Sequence, residues 1–224
     1  MCFSAISSFS AGIALTAVGI ACIKKTRHSS QLLFACIPFI FGVQQLTEGI
    51  LWLALPQPEH IIIQRAATFI FLFFAEILWP VWVPISLLMF EDNEPRKKVQ
   101  KILLGVGIIV SIYLAYCLLS YHVEAKIIGH HITYIQNYPA SLRNYSIILY
   151  GVVTIAPPFF SQLKRMHFFG IAILVSYIFS EIFYDHYILS VWCFFAAIIS
   201  MSVYIIVSEK TDKKQREYPE IYVK

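Results

Sequence analysis

The stretch Ile102–Ser120, ILLGVGIIVSIYLAYCLLS, carries no charge and follows directly on Arg96, Lys97, Lys98 and Lys101. A bilayer core of about 30 Å needs about 20 apolar residues when helical. The stretch is long enough to cross, and its cation cluster marks the end held in the cytoplasm. Outward from it the pattern repeats. Seven spans are read, at 4–23, 32–54, 67–89, 102–120, 145–163, 168–186 and 188–207. A tight turn around Tyr184 and Tyr187 makes the last two antiparallel. The expected fold is an all-α bundle of seven transmembrane helices, one domain over 1–207. A charged cytoplasmic tail, 208–224, is expected to be poorly ordered.

The bulk composition agrees. Of 224 residues, 58% are hydrophobic and 13% charged, against about 25% charged in soluble domains. No soluble fold hides that much apolar surface. The net charge of +4 does not point to nucleic acid, because the cations sit in short loops between apolar runs. One set of loops holds Lys24, Lys25, Arg27, Arg96, Lys97, Lys98, Lys101, Lys164, Arg165, Lys210, Lys213, Lys214, Arg216 and Lys224, fourteen of the 17. The other set holds Arg65, Lys126 and Arg143. This places the N-terminus outside and the C-terminus inside. The first apolar run has no basic residues before it and is read as a retained span rather than a signal peptide.

Most connections are short. The outer segment Tyr121–Asn144 is the exception. Val123, Ala125 and Ile127 alternate with polar residues, Gly129 can turn the chain, and Ile132, Tyr134 and Gln136 follow. That pattern fits either a plain loop or a short β-hairpin over the outer mouth. Ser8 and Gly12 form a small-xxx-small step that admits a close neighbour. Pro80, Pro84, Pro157 and Pro158 are expected to kink the third and fifth spans.

Ionisable groups inside a span are costly and mark candidate sites. Glu48, Glu76 and Glu181 lie within spans, and Asp185 ends the sixth. Counting from span centres, Glu48 and Cys193 lie about 7–8 Å outside the midplane, Glu181 about 6 Å and Glu76 about 3 Å. Gln45, Glu48 and Trp52 share one face, with Gln44 one turn from Glu48. Tyr177, Glu181 and Asp185 share another, and Ser190 and Cys193 a third. Cys2 lies at the outer end of the first span, and His60, His122, His130, His131 and His186 lie on the same side. Thiolate, imidazole and carboxylate are the ligands zinc takes, so Cys2, Glu48, His130 and Cys193 are the candidate metal set. Structural readings stand beside this one: Cys22, Cys36 and Cys117 as small apolar fillers, Cys2 and Cys193 as filler or a disulfide, and the carboxylates as hydrogen-bonded core groups.

Met1-Cys2-Phe3-Ser4-Ala5, Gln44-Gln45-Leu46-Thr47-Glu48-Gly49 with Trp52, Gly129-His130 with Tyr134, and Ser190-Val191-Trp192-Cys193-Phe194-Phe195-Ala196-Ala197 occur in this order. With them the chain resembles an uncharacterised family of small bacterial seven-helix membrane proteins, a domain of unknown function, over nearly its whole length. The resemblance implies a bacterial cytoplasmic membrane. It singles out Cys2, Gln45, Glu48, His130, Tyr134, Trp192 and Cys193, and supplies no activity. Family members can carry His-Gln in place of Gln44-Gln45. A looser architectural likeness is to seven-helix hydrolases of the alkaline-ceramidase and progestin-receptor kind, although this last span lacks their paired histidines.

The first functional expectation is a metal-dependent hydrolase of a lipid-like substrate. Glu181 would be its base and Tyr134 its oxyanion donor, and Gln44, Gln45, Trp52, Glu76, Asp185 and Trp192 would line the pocket. The alternatives are a small-ligand sensor with a cytoplasmic partner, a transporter using Glu76, and a Cys2–Cys193 redox pair. Membrane lipids are the partners expected in every case.

Overall fold

The structure is a computed structural model that describes residues 4–184 and 187–217. Ten α-helices and one hairpin appear among them: α1 Ala5–Lys25, α2 Ser29–Ala35, α3 Ile37–Ala54, α4 Ile61–Leu72, α5 Trp79–Phe90, α6 Glu94–Ser120, β1 Val123–Ile128, β2 His131–Gln136, α7 Ala140–Ile155, α8 Lys164–Tyr184, α9 Ile188–Ser200 and α10 Val203–Glu217. Among the described residues, six continuous stretches are long and apolar enough to cross a membrane: Ala5–Lys25, Ser29–Ala54, Pro58–Phe90, Glu94–Ser120, Lys164–Tyr184 and Ile188–Thr211. The fifth expected span is shorter. Its helix ends at Ile155, and Pro157 and Pro158 turn the chain into a 3₁₀ segment, Pro157–Phe160.

The expected kink in the third span takes the form of a π-helical segment, Phe73–Leu78, directly before α5. Its cause is Pro80, which has no N–H to offer the carbonyl one turn earlier and whose ring crowds it. Side chains from neighbouring helices bond carbonyls of this segment. The Tyr150 hydroxyl donates to Ala75 O and the Ser111 hydroxyl to Ile77 O. Pro84 in turn cannot bond Pro80 O. That carbonyl faces α6 at Gly107, where a Cβ would stand 2.0 Å from the oxygen.

α1 packs antiparallel along α3, and Ser8 and Gly12 are buried in that contact as expected. At Gly19 a Cβ would meet the Phe39 backbone at 2.5 Å. The outer segment is a β-hairpin. Ala125 pairs with Tyr134 and Ile127 with Ile132, and Gly129-His130 is the two-residue turn. Of these two residues Gly129 alone has positive φ, 61°, which matches the Gly-first type II′ turn. Ala125, Ile132 and Tyr134 are buried against Leu51, Phe71, Leu72 and Leu118, so the hairpin caps one end of the bundle.

The opposite, basic end is closed by polar contacts. Gln100 Nε2 donates to Pro157 O at 2.8 Å, and the Lys210 ammonium reaches Phe90 O at 2.9 Å and the Asp92 carboxylate. The Thr211 hydroxyl donates to Gln31 at 3.1 Å. The start of the expected tail is therefore docked: α10 runs on to Glu217, and Lys210 and Thr211 are buried.

Candidate functional site

α3 supplies the centre. Its span is apolar on all sides, so its polar residues stay buried only where partners meet them. Gln44, Gln45 and Glu48 are each fully buried. Gln44 Oε1 accepts the Trp79 indole N–H at 2.9 Å. The Ser190 hydroxyl of α9 donates to Glu48 Oε1 at 2.5 Å, joining residues 142 positions apart. One turn further along α9, the buried Cys193 thiol lies against the Gln44 amide, within the field of Glu48 and Glu76. Neither Gln45 polar atom has a hydrogen bond among the described residues, and neither has Trp52 Nε1.

Glu76 lies in the π-helical segment and is almost fully buried. Gln136 Nε2 donates to its Oε1, and the Tyr138 hydroxyl donates to its Oε2 at 3.0 Å. Both donors belong to the end of the hairpin and the strap after it. Glu76 therefore latches the cap onto the bundle. Outside the spans, burial with Glu76 alongside pushes the Tyr138 phenol well above its ordinary range, so it stays protonated and donates. Tyr134 stacks on Phe71, ring centroids 4.6 Å apart and nearly parallel.

Beside Cys193 the helices line a partly open cavity of about 50 Å³. Phe41 and Ile37 of α3, Trp79 of α5, Tyr150 and Thr154 of α7, Phe169 and Ile173 of α8, and Trp192, Cys193 and Ala196 of α9 line it. The lining is apolar apart from a few groups. Thr154 and Tyr150 donate to backbone carbonyls. Trp192 is buried, and its Nε1 has no hydrogen bond among the described residues.

Of the residues singled out from sequence, Gln44, Gln45, Glu48, Trp52, Trp192 and Cys193 lie buried or half-buried on α3 and α9. Glu76 and Tyr134 lie at the cap. Two do not join them. His130 is the turn residue at the hairpin tip and is exposed. Glu181 is exposed because α8 turns Ile173, Ser176 and Ser180 inward, which leaves Glu181 off that face. Cys2 and Asp185 lie outside the described residues. Among the described residues no three His, Cys, Asp or Glu side chains are grouped to hold a metal ion. Tyr150, Gln136 and Tyr138 were not singled out as site residues. Gln136 had a signal, a polar residue at an inward-facing register position. Tyr150 had none, being one more aromatic in an apolar run.

Set beside known families, residues 1–218 match a family of unknown function (DUF6629). No curated protein and no solved structure matches the chain. The looser likeness to seven-helix hydrolases thus finds no support.

Proposed function

The chain belongs to this family of unknown function, and from that premise we propose that it is a seven-span receptor for a small, mostly apolar ligand carrying one hydrogen-bond acceptor. The ligand sits in the cavity beside Cys193 with its acceptor on Trp192 Nε1. No reaction is performed on it, and occupancy is passed to a cytoplasmic partner. The observation that carries this reading is an apolar cavity lined by Trp192, whose buried indole N–H has no hydrogen bond among the described residues. An unmade buried hydrogen bond costs about 1–3 kcal/mol, which an acceptor on the ligand recovers. A hydrolytic centre, by contrast, needs His130 and Glu181 to leave their exposed positions.

The seventh crossing and the orientation belong to the same proposal. α7 has 16 residues and the following 3₁₀ segment four; together they reach about 32 Å, enough for the bilayer core. The cations gathered at one end favour that end as cytoplasmic.

The test is a thermal-shift titration of purified protein with 2-pentanone and with n-pentane, whose slim ends can enter a space of about 50 Å³ that is too small for a ring. Saturable stabilisation that is stronger for the ketone is expected, with the difference lost in Trp192→Phe and all binding lost in the cavity-filling Ala196→Leu. No saturable shift with either compound, or turnover of a bound ester or amide, overturns the reading.

A further inference from the structure

A second concave surface, which shares Phe169 with the cavity, lies where α9 gives way to α10. The helix breaks at Met201–Ser202, whose N–H groups bond Ile198 O and Ile199 O in a tighter turn. α8 packs closely on α9 and leaves a groove of about 690 Å³ between itself and the break. Its walls are Phe168 and Ala172 of α8, Ile198 and Ile199 of α9 and Ile205 of α10. Phe168 is 69% exposed and Ile205 51%. Arg165 stands at the basic end of the groove, its side chain about half exposed, with the exposed Lys164 beside it. One edge of the guanidinium pairs with Glu209 at 3.0 Å. That ion pair fixes the side chain while the rest of the planar fork remains suited to a phosphate.

We propose that this groove is a binding site for an anionic phospholipid, with the phosphate on Arg165 and one acyl chain lying along Phe168, Ala172 and Ile205. The charge argument selects the lipid. An apolar trough on a membrane-embedded face takes an acyl chain of any lipid. A cation at the trough's mouth, at the end of the bundle where the loop cations gather, adds a preference for a net negative headgroup. Glu209 acts in the opposite sense, since its carboxylate opposes an incoming phosphate and occupies part of Arg165.

This gives a test with opposite signs. Native mass spectrometry of the purified protein is run with phosphatidylglycerol and phosphatidylethanolamine of matched chains. The wild type is expected to retain the anionic lipid preferentially. Arg165→Ala lowers that retention by about fivefold, the worth of one interfacial cation, and leaves phosphatidylethanolamine unchanged. Glu209→Gln raises it. Ala172→Trp, which fills the trough, lowers both lipids. Equal retention of the two lipids by the wild type overturns the proposal. So does an equal loss in Arg165→Ala and Glu209→Gln, which would make the pair structural. A dimer signal that Ala172→Trp abolishes, with lipid retention unchanged, would assign the groove to a second copy of the chain and overturn it too.

Discussion

Gly107 shows how a side chain of no size positions the site. Two prolines one turn apart leave Pro80 O without a helical donor, and α6 approaches it where a Cβ would stand 2.0 Å away. The obstacle is backbone, so it cannot swing aside. Gly107→Ala is expected to cost about 1–3 kcal/mol, the range of an overpacked core, read as a lowered midpoint of thermal unfolding in detergent. Gly105→Ala is the matched control on the same helix. No atom lies within 4 Å of the Cβ it adds, so it should be neutral or slightly stabilising through helix propensity. At Glu48 the reasoning runs through hydrogen bonds. Ser190→Ala takes away a donor to a fully buried carboxylate and should destabilise by about 1–3 kcal/mol. The residue scale is also where sequence reading divides. Depth and helical face were enough to bring Glu48, Ser190 and Cys193 near one another. A polar stripe does not say which way it faces, however, and Ser176 and Ser180 take the inward positions that Glu181 was expected to hold. His130 was legible as a neighbour of the turn glycine, and a turn residue at a hairpin tip points away from the bundle.

The hairpin is the element whose behaviour follows most directly from its contacts. Period-two alternation made its inward face readable, because a strand covered on one side alternates by residue. The breaks at Cys36 and at Met201–Ser202 were not readable, since helices apolar on every side carry no phase for a break to interrupt. Only prolines announced themselves. Beyond its apolar packing on Leu51, Phe71, Leu72 and Leu118, two further contacts hold the cap down. The first is the Glu76 latch. In Glu76→Leu both donors, Gln136 and Tyr138, lose their acceptor. Amide exchange across Val123–Gln136 should accelerate while α1 and α3 stay protected; unchanged exchange in the strands would refute the latch. The second is His131, stacked on Tyr187 with centroids 4.4 Å apart. Burial holds its pKa below the ordinary 6.5. The folded state therefore prefers the neutral ring. Its contribution is present above about 6.5, the ordinary histidine value, and is lost as pH falls below it, because the unfolded chain takes the proton more readily. Wild type should lose stability between pH 7.5 and 5.5 relative to His131→Phe, which keeps the stack and cannot titrate.

At the scale of the molecule the organising fact is polarity along the bundle axis: a hairpin latched by a buried carboxylate at one end, the gathered cations and a docked last helix at the other. The apolar lengths made the membrane class readable at once. They could not reveal the docking of α10, because Lys210 and Thr211 lie in a charged stretch whose burial depends on Asp92, Phe90 O and Gln31, far off in sequence. The number of crossings rests on α7, the one short helix, and this makes the topology testable in a single pair. Lys126 is exposed on the hairpin and Lys164 is exposed at the start of α8, and only α7 with its 3₁₀ extension separates them. If α7 crosses, Lys126→Cys reacts with a membrane-impermeant thiol reagent in intact cells and Lys164→Cys reacts only after permeabilisation. If it does not cross, the two behave alike. A Cys2→Ser, Cys36→Ser background removes the N-terminal thiol and the half-buried one, and Cys22, Cys117 and Cys193 are buried. Labelling of Lys164→Cys but not Lys126→Cys in intact cells would keep seven spans and invert the orientation. That would put the cations outside, against the rule that places them in the cytoplasm, and the proposed ligand would then be captured beneath a cytoplasmic hairpin.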